Sequence, residues 1–91
     1  MVKYVKADSR DGRWYQVKKD ELRRKLKNHA DMLMFKGIDN LKEYEIAFEN
    51  TIERVYDRPW YEVTSCNIFE TLMATKDVYA TIDCIIDELT V

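Results

Sequence analysis

Only three residues of this 91-residue chain, Gly12, Gly37 and Pro59, belong to the two types that most readily interrupt helices and strands. So few glycines and prolines argue against a disordered tail or a flexible linker. Apolar residues make up 46% of the chain, which is enough for a real core. The length suits one domain and is too short for two. We therefore expect a single folded domain over residues 1–91.

The N-terminal residues have the pattern of a β-hairpin. Residues 2–6 and 13–18 are each rich in β-forming types, and Asp11-Gly12 between them is a strong turn signal. We therefore predict a hairpin near residues 2–18.

Helical spacing follows the predicted hairpin. A helix is predicted over 21–36, with Asp20 as its N-cap and Gly37 as its stop. A second helix is predicted over 41–56, because Asn40 and Glu43 form a capping-box pattern. The short turn between the helices predicts antiparallel packing. Three residues on their apolar stripes are predicted to be buried: Leu26, Phe48 and Ile52.

The C-terminal third contains a mixture of signals. Residues 60–64 follow Pro59 and read as an edge strand. Asn67 with Glu70 indicates a helix that starts near Ile68. Residues 78–86 fit both a strand and a helix, and we favour a helix because their flanks are helix-compatible. The predicted fold class is α+β: an N-terminal hairpin packed on antiparallel helices, with a third strand near 60–64 and a C-terminal helix.

Compartment and metal chemistry follow from simple counts. No apolar run approaches the roughly 20 residues of a spanning helix, and the start has no signal-peptide pattern, so we expect a cytoplasmic protein. A structural zinc site needs four nitrogen or sulfur ligands, whereas the chain offers Cys66, Cys84 and His29. We expect no metal and no cofactor. The two thiols are expected to behave as small hydrophobes, and a disulfide is not expected in a reducing compartment.

The sequence gives little reason to expect catalysis. It contains no nucleophile-elbow motif, no glycine-rich phosphate loop and no His-Glu-x-x-His motif. A catalytic pair of carboxylates needs a cleft, for which so short a chain has little room. We expect a binding protein and not an enzyme.

Charge is divided unevenly along the chain. Residues 1–30 hold ten Lys/Arg and four Asp/Glu, a net of +6, whereas residues 31–91 hold five and thirteen, a net of −8. Four acidic residues, each four positions from the next, extend along the second helix and past its end: Glu45, Glu49, Glu53 and Asp57. They suggest a surface that docks on a basic groove of a partner, although a solvated outer face has the same pattern.

The basic front offers an alternative, which is nucleic-acid binding. Aromatic residues are interleaved with basic ones here and could stack on bases, as in single-strand binders. The residues of this alternative are Arg13, Trp14, Arg23, Arg24 and Lys27. The isoelectric point near 5.4 argues against this alternative, because autonomous nucleic-acid binders are usually basic. The apolar run 32–35 needs a second covering surface, either the core or a partner.

The opening residues Lys3-Tyr4-Val5-Lys6-Ala7, the charged hairpin and the acidic helical remainder resemble small accessory proteins of phages and other mobile elements. Anti-CRISPR proteins are among them. The resemblance implies stoichiometric inhibition of a host nucleic-acid-handling complex by occupation of its surface. The implied partner is a host protein or a protein–nucleic acid complex, with no membrane involved and the chain itself a monomer or homodimer.

Overall fold

The fold is built from helices, and the α+β expectation is wrong. The computed structural model describes the backbone of residues 12–90 and the side chains of residues 16–90. Within this range the β pairing consists of one isolated antiparallel bridge between Thr64 and Leu89, and no sheet is present. The helices are α1 (Gly12–Phe35), α2 (Leu41–Tyr56), α3 (Trp60–Val63), α4 (Ile68–Thr75) and α5 (Val78–Asp87).

The second strand of the predicted hairpin is instead the start of α1, which begins at Gly12. Extending an existing helix adds one hydrogen bond for each residue fixed, so the weak β preference of residues 13–18 is easily outweighed. Local contacts add support, because Gln16 Nε2 donates to Asp20 Oδ1 at 3.0 Å and Lys18 Nζ lies 3.8 Å from Glu21 Oε1. Asp20 is thus inside the helix and is not its N-cap. Residues 2–11 of the predicted hairpin lie outside the described residues.

The strand predicted at residues 60–64 is also wrong. Trp60–Val63 forms a single helical turn, α3, directly after Pro59, whose φ of −59° suits a helix start. A strand needs a neighbour to satisfy its backbone groups, and the described residues contain no sheet edge at which it could pair. The backbone that follows α3 meets the segment after α5, where the Thr90 N–H donates to the Val63 carbonyl at 2.6 Å.

The turn between α1 and α2 confirms the role predicted for Gly37. Its φ is +79°, and its N–H donates to the Met34 carbonyl at 3.0 Å while the Ile38 N–H donates to the Leu33 carbonyl at 2.9 Å. This pair of bonds is a Schellman motif, which satisfies carbonyls left unpaired at a helix end. The predicted bounds of α2 are confirmed, with the Asn40 side chain accepting from the Lys42 N–H at 2.9 Å.

The segments near the C-terminus that were predicted to be helical are helical, but a break at Lys76, whose φ is +54°, divides them into two helices and was not predicted. The Asn67 side chain accepts from the Glu70 N–H at 3.1 Å and so caps α4. Asp77 caps α5 by accepting from the N–H groups of Tyr79 and Ala80. Residues 78–86 are therefore helical, as favoured.

The core lies where α1, α2, α4 and α5 meet. Helix α1 packs on α2 and α5, and α4 packs on the same two helices. Leu26, Phe48 and Ile52 are fully buried, as predicted. No helix of the described residues is long and apolar enough to cross a membrane. Other large side chains of this core are Leu22, Tyr44, Ile68, Leu72, Ile82, Ile85 and Ile86.

Candidate partner-binding surface

The four acidic residues singled out in the sequence are brought together by α2. We call Glu45, Glu49, Glu53 and Asp57 the acidic row. The three glutamates lie four residues apart on the helix and are half-buried, whereas Asp57 is exposed and adopts a left-handed conformation at the helix end. Residues at this spacing stack along one helix face. The row is thus partly packed against the protein and is not a fully solvated face.

The first member of the row has an internal partner. Lys42 Nζ lies 2.8 Å from Glu45 Oε1, and the Glu45 side chain is only 16% exposed. The hydrogen bond with Glu45 raises the pKa of Lys42, and the carboxylate charge of Glu45 adds to this effect. The same ammonium lies 5.2 Å from the centroid of the Phe69 ring on α4, within the range of a cation–π contact. Lys42 therefore neutralises the start of the row.

The middle of the row carries uncompensated negative charge. Burial is the main cause that raises the pKa of Glu49, and the charge of Glu45 and a hydrogen bond with its carboxyl group raise it further. Glu53 adds to the shift, whereas Lys42 opposes it. Since the net direction is upward, the single nearby ammonium does not offset the burial and the like charges. Glu49 thus sits where an added cation would be favoured.

The third member, Glu53, has a structural task. Its Oε2 accepts a hydrogen bond at 3.3 Å from the backbone N–H of Trp60, the first residue of α3. The first N–H groups of a helix have no partner within it, so this carboxylate supplies one. Beside this contact, the Trp60 and Tyr61 rings meet edge to face at 5.9 Å, and Tyr61 is exposed.

The basic residues of the alternative interpretation lie on α1. Arg23, Arg24 and Lys27 are exposed. Arg13 and Trp14 belong to α1 by their backbone, and their side chains lie outside the described residues. The structure thus places the acidic row and the basic residues on different helices.

Part of the basic face borders an acidic part of the same molecule. A shallow cleft of about 550 Å³ between α1 and α5 is lined by Arg23 and Lys27 together with Asp31 and Asp83. The Tyr79 hydroxyl of α5 donates to the Asp31 carboxylate, which raises the pKa of Tyr79. The positive potential of α1 is therefore reduced along this border.

The end of α1 exposes apolar side chains that the sequence left ambiguous. Met32, Met34 and Phe35 are exposed, with Phe35 at 92%, whereas Leu33 packs against the core. Met34 also borders a groove of about 820 Å³ between the ends of α1 and α4 and the starts of α2 and α5. The core thus covers only Leu33 of the run and leaves the other three side chains exposed.

The two cysteines are neighbours, which sequence reasoning missed. Their Sγ atoms lie 3.3 Å apart, although the residues are separated by 18 positions. Cys66 is buried, and burial raises the pKa of its thiol to about 11. No local sequence signal predicts this pair, because the approach of Cys66, which lies between α3 and α4, to Cys84 on α5 depends on the tertiary fold.

Among residues 16–90, no group of three or more His, Cys, Asp or Glu could hold a metal ion. His29 is half-buried on α1. Comparison of the chain with protein-family models, with curated proteins and with solved structures found no match in any of the three.

Proposed function

We propose that this protein is a non-enzymatic, cytoplasmic protein-binding module that docks its acidic row on a basic surface of a host complex that handles nucleic acid. Occupation of that surface would inhibit the complex stoichiometrically. The observation that carries the proposal is the position of Glu49, which is half-buried on α2 between Glu45 and Glu53. The raised pKa of Glu49 agrees with this placement.

Neutralisation of the like charges around Glu49 would provide the driving force for docking. A Lys or Arg side chain of the partner would neutralise Glu49 directly, and its charge would act in a partly desolvated setting where screening is weak. Lys42 pairs with Glu45 at the start of the row, and Glu49 is only partly buried, so a second cation from solution can reach the middle of the row. Complementary charge of this kind also speeds encounter.

The spacing of the row suits a surface built for a nucleic-acid backbone. Residues four apart on a helix are separated by about 6 Å along its axis. Phosphates of a nucleic-acid strand recur on a similar scale of a few ångströms. Basic side chains arranged to hold successive phosphates could therefore accept successive glutamates of α2, which makes direct competition with nucleic acid the mechanism of inhibition.

The test is a capture experiment with charge-reversal variants. Wild type, Glu49→Lys and the control Arg24→Glu are immobilised, incubated with a bacterial lysate and compared by quantitative mass spectrometry. In Glu49→Lys the new ammonium lies four residues from both Glu45 and Glu53, an arrangement that stabilises a helix. Loss of capture with an unchanged or higher melting temperature therefore reports on binding and not on folding.

The expected result is a partner held by wild type and by Arg24→Glu, lost with Glu49→Lys and displaced by added DNA or RNA. Capture that is unchanged in Glu49→Lys overturns the proposal. Capture that fails in Arg24→Glu and survives in Glu49→Lys overturns it as well and assigns binding to α1.

A second candidate is direct nucleic-acid binding through α1. It is favoured by the exposure of Arg23, Arg24 and Lys27 on one long helix. This candidate predicts retardation of plain single-stranded DNA by the purified protein, reversed by salt and weakened in Arg24→Glu. The first candidate predicts no retardation in the absence of a protein partner.

A further inference from the structure

Cys66 and Cys84 are placed to react with each other. Cys66 lies in the linker between α3 and α4, Cys84 lies on α5, and their Sγ atoms are 3.3 Å apart. A disulfide bond is about 2.05 Å long, so the sulfurs need to approach by roughly 1.3 Å. A movement of this size lies within the reach of rotation about the cysteine side-chain bonds.

The two thiols differ in access and environment. Cys84 is half-buried, whereas only 4% of Cys66 is exposed, so a reagent in solution reaches Cys84 first. Cys66 Sγ also lies 3.5 Å from the Thr71 hydroxyl, which can donate a hydrogen bond to a thiolate at this position. This asymmetry is suited to a pair in which one thiol reacts with an oxidant and the other displaces it.

We propose that Cys66 and Cys84 form a reversible redox pair that closes to an intramolecular disulfide when an external disulfide, such as glutathione disulfide, is present. The Cys84 thiolate attacks the external disulfide, which forms a mixed disulfide and releases one glutathione thiolate. Cys66 then loses its proton to water, and its sulfur attacks Cys84 Sγ and displaces the second glutathione. The raised pKa of Cys66 makes this second step the slower of the two. The two protein thiols lose two protons and two electrons, and the oxidant becomes two glutathione thiols.

Closure would fasten the Cys66 linker to α5. Noncovalent contacts already join this linker and the end of α3 to the residues just after α5. They are the Thr64–Leu89 bridge, hydrogen bonds from the Ser65 N–H and Oγ to the Glu88 carbonyl and carboxylate, and the bond from the Thr90 N–H to the Val63 carbonyl. The new loop would enclose α4 and the part of α5 from Val78 to Cys84. A crosslink over a loop of this length restricts the unfolded chain, so we expect the melting temperature to rise by at least about 5 °C.

The experiment equilibrates the purified protein with glutathione disulfide, traps free thiols by alkylation and measures the intact mass and the linked peptides. Wild type should lose the mass of two hydrogen atoms, yield a peptide that joins Cys66 to Cys84, melt at a higher temperature and revert with dithiothreitol. Cys66→Ser should stop at a stable glutathione adduct on Cys84. Cys84→Ser should react far more slowly because its remaining thiol is buried.

The redox pair is refuted if wild type keeps two alkylatable thiols, stops at a glutathione adduct or joins two chains instead of one. A linked peptide without any rise in melting temperature refutes the fastening of the linker to α5. Because wild type alone supplies these readouts, the test does not depend on the folding of either variant. It is also independent of whether the acidic row binds a partner.

Discussion

The carboxylate of Glu53 accepts a hydrogen bond from the backbone N–H of Trp60 at 3.3 Å, so one member of the acidic row holds the start of α3 in place. Its neighbour Glu49 owes its raised pKa to burial and to like charges. The row therefore combines a residue that serves the fold with one whose charge is costly to it. This difference determines which substitutions can test function.

Two substitutions of Glu53 separate the contribution of its hydrogen bond to stability from the contribution of its charge. Glu53→Ala removes the acceptor of the Trp60 N–H and should lower the free energy of unfolding by about 1 kcal/mol. Glu53→Gln keeps an acceptor oxygen and should cost less. Chemical denaturation of both variants measures the difference, and equal stability of Glu53→Ala and wild type would show that the contact is unimportant. Reversal to lysine at this position is unsuitable as a binding test, since it disturbs the fold.

Glu49 should make folding depend on pH. Its pKa is raised above the ordinary 4.5, so the ionised form is disfavoured in the folded state. Its contribution is most favourable below the ordinary pKa and is lost as pH rises through the folded value. Glu49→Gln should therefore melt a few degrees above wild type at neutral pH, with a gap that closes on acidification.

The control is Glu62→Gln, which removes the same charge from an exposed site on α3. It should leave the pH profile of the melting temperature close to that of wild type. A lower melting temperature for Glu49→Gln than for wild type at neutral pH contradicts the account of the row.

Gly37 tests the turn between α1 and α2. Its φ of +79° is unfavourable for other residues, yet no atom beyond the two adjacent residues lies within 4 Å of where a Cβ would be. Gly37→Ala should therefore lower the free energy of unfolding by about 1 kcal/mol through backbone strain alone. Gly37→Asn should lose less, because asparagine tolerates the left-handed region. Equal losses in the two variants would argue against a conformational cause.

Two phenylalanines test the placement of the core. Phe48 is fully buried and Phe35 is 92% exposed. Phe48→Ala should cost about 3–5 kcal/mol of unfolding free energy, whereas Phe35→Ala should change it by less than about 0.5 kcal/mol. Denaturant titration decides, and a large loss in Phe35→Ala would mean that the end of α1 is covered in solution.

The parts of the fold predicted correctly have signals that are local. Asn40, Gly37 and Asn67 act through backbone groups within a few residues, so the bounds of α2 and the start of α4 could be read from the chain. The helical state of residues 13–18 and 60–64 could not be predicted from their β-forming side chains. It depends on the helix that extends over the first segment and, for the second, on the absence of a strand partner among the described residues.

The candidate site shows the same division. The four-residue spacing predicted that Glu45, Glu49 and Glu53 would share a helix face. It could not predict that Trp60 would donate to Glu53, because that contact depends on how α3 returns to α2. The approach of Cys66 to Cys84 was hidden for the same reason.

The most direct test of the central claim is the dissociation constant of the captured partner for wild type and Glu49→Lys at low and high salt. If the acidic row docks on a basic surface, wild-type binding weakens with salt, and Glu49→Lys binds at least about tenfold more weakly at low salt with a smaller salt dependence. Equal dissociation constants for the two proteins at low salt, with both folded, would contradict the claim.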